Sequence, residues 1–97
     1  MMNEKTINEQ YAYIYSLLED RRLKEALIQL ESLLWQCSDW DLRTRLEQLQ
    51  TSYKYMLDYM RQGANDPERW NLYQKMLTDT WAIAVQSRLL MLDNASS

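Results

Sequence analysis

Gly63-Ala64-Asn65-Asp66-Pro67 holds the only glycine and the only proline of a 97-residue chain, and its reading decides the fold. Glycine enters the left-handed conformation that ends a helix without a Cβ penalty. Aspartate caps the helix that follows, and proline fits its first position, where no backbone N–H is needed. The pentapeptide therefore predicts a helix stop, a tight turn and a helix start. Long segments without another breaker lie on either side, and they are expected to fold back on one another as a hairpin.

C-terminal to the turn, the spacing predicts a helix over residues 67–92, with Tyr73, Met76, Leu77, Thr80, Ala84, Ser87 and Met91 on its first face. Its second half is apolar on every side: Trp81, Ala82, Ile83, Ala84, Val85, Leu89, Leu90, Met91 and Leu92 surround the helix, with Asp79, Gln86 and Arg88 as the interruptions. A helix that is apolar all round is expected to be buried all round. One hairpin partner and two shorter helices cover about two of its sides, so the rest calls for another surface.

N-terminal to the turn, Leu42, Leu46, Leu49, Tyr53, Met56, Leu57 and Met60 form the stripe of a helix over residues 39–62. Its start is read at Ser38-Asp39-Trp40-Asp41, with Ser38 as cap, two aspartates at the positive end of the helix dipole, and Cys37 packed on Leu42 as a staple. Before it, Leu23, Leu27, Leu30, Leu34 and Cys37 predict a helix over residues 23–37, with the small Ala26 allowing close approach of its neighbour. The first helix spans residues 4–20, on the stripe Ile7, Tyr11, Ile14 and Leu18, while Tyr13 and Leu17 point to contacts on a second side. Tyr11 to Tyr15 also alternates as a strand does, but the flanking residues favour helix. Around Asp20-Arg21-Arg22 the register resets without glycine or proline, leaving open a short turn or one kinked helix. The fold class is all-α: two successive antiparallel hairpins, arranged as a four-helix bundle or as a tetratricopeptide-like α-hairpin array within one domain of 97 residues.

Two stretches carry a resemblance. Leu23 to Leu30 resembles the second helix of a tetratricopeptide repeat, with Ala26 four residues before Leu30. Trp40-Asp41-Leu42, residues 44–55, Met60-Arg61-Gln62-Gly63 and Asn65-Asp66-Pro67-Glu68 together resemble the N-terminal helical region of large bacterial tetratricopeptide-repeat-containing proteins. The resemblance implies that further helical segments follow. It implies no catalytic residue, cofactor or substrate.

Composition narrows the function. With 46% hydrophobic and 26% charged residues the chain is an ordinary globular one. A net charge of −3 supplies no field for holding phosphates, which argues against nucleic acid. The start of the chain is polar where a secretory signal is apolar, and no run approaches about 18 consecutive apolar residues, so the reading is cytoplasmic with no membrane partner. On that reading Asn94-Ala95-Ser96 matches a glycosylation acceptor only by accident. The lone Cys37 reads as a buried small apolar residue. There is no histidine and no glycine-rich loop, so the chain is read as a non-enzyme without cofactor or metal. Arg21, Arg22 and Lys24 read as a turn followed by a salt-bridged helix end.

The aromatics carry the functional expectation. Four tryptophans and seven tyrosines, with no phenylalanine, favour rings with polar handles, which suit interfaces as well as cores. The expected partner-binding residues are Tyr59, Trp70, Tyr73, Trp81, Val85, Leu89 and Leu92. The chain is read as a helical scaffold whose last helix packs on following helices or another protein subunit. A self-contained homodimeric four-helix protein is the alternative, and the regulatory part of an enzyme a second.

Overall fold

Four helices follow one another: α1 (Glu4–Glu19), α2 (Leu23–Leu34), α3 (Trp40–Arg61) and α4 (Pro67–Ser96). They come from a computed structural model that describes residues 3–37, 39–61 and 67–96, with side chains at all of these except 60, 61, 67–69 and 96. Among the described residues there is no strand, so Tyr11 to Tyr15 continues as helix. α4 begins at Pro67, as the fixed φ of proline favours. The expected roles of Gly63 and Asp66 fall outside the described residues.

The α1–α2 connection is a true turn. Arg21 sits at φ 61, the left-handed region. Arg22 N–H donates to Leu17 O at 2.8 Å and Arg21 N–H to Leu18 O at 3.1 Å, the paired bonds of a Schellman motif with arginine where glycine is usual. The alternative of one kinked helix is thereby removed.

Three helices end elsewhere than the sequence reading places them, α1 by one residue, at Glu19, and α2 and α4 by more. α2 stops at Leu34 rather than at residue 37, and tight bonds from Gln36 N–H to Leu33 O (3.0 Å) and Cys37 N–H to Leu34 O (3.1 Å) close its last turn. At the start of α3, Leu42 N–H donates to Asp39 Oδ1 at 2.9 Å, which places a carboxylate directly on the helix dipole, while the expected cap role of Ser38 lies outside the described residues. α4 runs on to Ser96 because nothing after Leu92 breaks it.

α1 packs along α2 and α4, and α3 packs along α2 and α4, so the first and last helices meet and the two hairpins close into a four-helix bundle. The order of contacts fixes α1 and α4 as antiparallel: Asn8 meets Arg88, Tyr15 meets Trp81, and Arg21 meets Tyr73. The diagonal between α2 and α4 is also in contact. The molecule measures 49 × 25 × 16 Å, its long axis set by the 30 residues of α4, about 45 Å of helix.

The stripes face inward as the periodicity requires. Ile7, Tyr11, Ile14 and Leu18 of α1 and Leu23, Ala26, Leu27, Leu30 and Leu34 of α2 are all buried. Leu42, Leu46, Leu49 and Met56 of α3 join Met76, Ile83, Ala84 and Met91 of α4. Leu17 is buried too, as its position off the main stripe foretold, and Tyr13 is half exposed. Cys37 is free and buried.

Candidate functional site

The surface of interest follows from the second half of α4. Inside the bundle lie Thr80, Ile83, Ala84, Ser87 and Met91, and Leu90 and Leu92 are partly covered. Trp81, Ala82, Val85 and Leu89 remain exposed. Within the chain a four-helix ring covers the sides of α4 that meet neighbours and leaves exposed the outward side that the sequence reading assigns to another surface.

Trp81, Val85 and Leu89 are spaced four residues apart, one ridge rising about 12 Å along the helix. Between Thr80 and Leu92 the single charged residue is Arg88. Its guanidinium turns away to α1, donating from Nε and Nη2 to Asn8 Oδ1 at 3.1 and 3.0 Å. The ridge is therefore uncharged. Leu89 is 60% exposed and makes its apex, whereas Trp81, at 37%, lies partly in the α1–α4 seam, its ring stacked on Tyr15 at 5.2 Å.

The other residues singled out from the sequence do not join this ridge. Trp70 and Tyr73 belong to the opposite end of α4 and brace the α1–α2 turn. Tyr73 O–H donates to Arg21 O, Trp70 stacks on Tyr73 with ring centroids 6.2 Å apart, and the Arg21 guanidinium lies 5.0 Å from the Trp70 ring. Burial pushes the Tyr73 hydroxyl pKa up, Tyr53 adds to the rise, and Arg21 opposes it. Leu92 packs on the core, and Tyr59 is on α3. The basic cluster is as expected, with Arg22 paired to Glu25 at 3.5 Å on the exposed surface.

Two features escaped the sequence reading. Trp35 and Trp40, 66% and 73% exposed, flank the α2–α3 corner and share one cation: the Arg43 guanidinium is 4.3 Å from the first ring and 5.4 Å from the second. The i, i+3 spacing of Trp40 and Arg43 on one helix was the available signal. The second is a polar pair inside the core. Tyr11 O–H donates to Ser87 Oγ at 2.8 Å, with Met91 Sδ at 3.2 Å as a further acceptor, and Ser87 Oγ donates to Ala84 O at 3.1 Å. Burial pushes the Tyr11 hydroxyl up to about 12, with the Ser87 bond opposing. Thr80 satisfies itself on Met76 O at 2.7 Å. The available signal was a serine, Ser87, at an inward position of an apolar stripe, since a buried hydroxyl takes a hydrogen-bond partner.

A shallow groove between α2 and α3, lined by Leu27, Ile28, Tyr53 and Leu57, has Lys24, Glu31 and Lys54 at its rim and is open to solvent. Among the described residues no cluster of three histidine, cysteine, aspartate or glutamate side chains is placed to hold a metal, and no helix is long and apolar enough to cross a membrane. Comparison of the chain with family models, curated proteins and solved structures gives no match in any of the three.

Proposed function

We propose that this chain is a non-enzymatic helical interaction module, and that the outward side of α4 docks a helix of a following segment or of another protein subunit. The observation that carries the reading is the ridge Trp81, Val85 and Leu89, bare and uncharged on a helix whose opposite side is fully packed. Apolar ridges of this kind gain stability by leaving water, and aromatic residues at their edge serve as anchors. A cytoplasmic setting suits the one cysteine, which is free and buried.

Leu89→Asp is the cleanest probe, because Leu89 is the most exposed of the three and no stacking contact within the chain depends on it. The wild-type chain is expected to bind a dye that reports apolar surface, or to associate, and Leu89→Asp to abolish both with helicity and melting temperature unchanged. A wild type that is monomeric and silent to the dye at every concentration sinks the reading. Trp81→Asp is a poorer probe, since it also removes the ring stacked on Tyr15.

A further inference from the structure

On the side of α4 that meets α3, we propose a binding site for a small zwitterion, a molecule such as a dipeptide whose ammonium and carboxylate stand about 4–5 Å apart. A crevice of about 340 Å³ opens between the two helices, lined by Arg45, Gln48, Leu49 and Ser52 of α3 and by Asp79 and Ile83 of α4. Leu49 and Ile83 are buried and make its floor. Gln48 and Ser52 are exposed, and their side-chain amide and hydroxyl are available to bond a ligand. The site is independent of the docking ridge.

The charges select the ligand. Asp79 is partly buried, and its carboxylate has no hydrogen bond or ion pair among the described residues. At the other end, Arg45 donates from Nη1 to Gln86 Oε1 at 2.7 Å, which anchors the guanidinium and leaves its other donors for a carboxylate. Gln86 follows Asp79 by two turns at nearly one angle, so the guanidinium and the Asp79 carboxylate stand about 10 Å apart. They are too distant to pair with each other. A hydrogen bond of about 3 Å at either end leaves about 4–5 Å between the ligand's own charges, which a dipeptide spans and a single α-amino acid does not. Lys75 lies one turn before Asp79 and Asp41 one turn before Arg45, both exposed, and among the described residues neither pair is joined. The four charges alternate along the helices and sum to zero, which favours a zwitterion over an ion of either sign. Asp93, further along α4, has bonding of its own and does not line the crevice.

The test is titration of the full chain with glycylglycine, followed by NMR shifts, with glycine, acetate and methylammonium titrated in parallel. Glycylglycine is expected to move the Gln48 and Ser52 signals to saturation, and each of the other three to bind about ten-fold more weakly. Asp79→Asn and Arg45→Gln are each expected to lower the glycylglycine affinity about ten-fold with helicity unchanged. Asp79→Asn is the deciding variant, because it keeps the side-chain shape and removes no bond within the chain. Leu89→Asp, on the ridge, is expected to bind glycylglycine as the wild type does. No saturable shift at the crevice, equal binding of glycine, or an affinity unmoved in Asp79→Asn overturns the site and leaves the docking role standing.

Discussion

Arg21 holds a backbone conformation, φ 61, that costs an L-residue about 1–2 kcal/mol relative to the right-handed regions. Its neighbours explain why it persists. The Tyr73 hydroxyl bonds its carbonyl, the Trp70 ring lies beside its guanidinium, and the two Schellman bonds satisfy the last carbonyls of α1. The strain makes a sharp prediction, because Gly and Ala normally rank oppositely here and in a helix. Arg21→Gly is expected to be more stable than Arg21→Ala by about 1 kcal/mol in urea unfolding, since both lose the ring contact and only glycine relieves the backbone. The opposite order would show that the turn is not left-handed. This position was illegible in the sequence for a definite reason. Left-handed residues are recognised by glycine or asparagine, and here the conformation is held by a side chain 52 positions away.

Between elements, the buried pair of Tyr11 and Ser87 is one of the bonds that tie α1 to α4. A tyrosine whose hydroxyl titrates at about 12 when folded and about 10 when unfolded binds its proton more tightly in the folded state. Its contribution is complete below pH 10 and is lost as pH rises toward 12, a loss of about 2–3 kcal/mol. Tyr11→Phe is expected to cost about 1 kcal/mol at neutral pH and to fall off less steeply than the wild type between pH 10 and 12, measured by chemical unfolding. Equal slopes would show that Tyr11 is not the group responsible. Tyr73, partly buried and shifted in the same direction, adds to the alkaline loss in both proteins and so leaves the difference intact. The helices themselves were legible, because a 3.6-residue stripe such as Leu23, Leu27, Leu30 and Leu34 has only one compact reading. Their ends were less so. The apolar stripe of α2 runs on to Cys37, and the tight last-turn bonds that close the helix at Leu34 leave no mark on that pattern.

For the whole molecule, the closure of α1 on α4 is what periodicity withholds: a stripe says that a face is covered and not which helix covers it. The same gap limits the reading of the candidate site. Leu89 and Ile83 are equally apolar in sequence, yet one is the apex of the exposed ridge and the other is 1% exposed, a difference set by where α3 and α1 lie around α4. Closure has a measurable consequence, since each hairpin completes the core of the other: Tyr11, Ile14, Ile83 and Met91 are buried in a single cluster drawn from both. Urea unfolding followed through Trp35, at the end of the first hairpin, in one variant and through Trp70 and Trp81, on α4, in another is expected to give a single shared midpoint, provided the silencing substitutions are matched for stability. Ile14→Ala, a change in the first hairpin, is expected to cost about 2–5 kcal/mol and to move both midpoints together. Two midpoints, with only the first responding to Ile14→Ala, would mean that the hairpins fold as separate units and that the α1–α4 contact does not bind them into one.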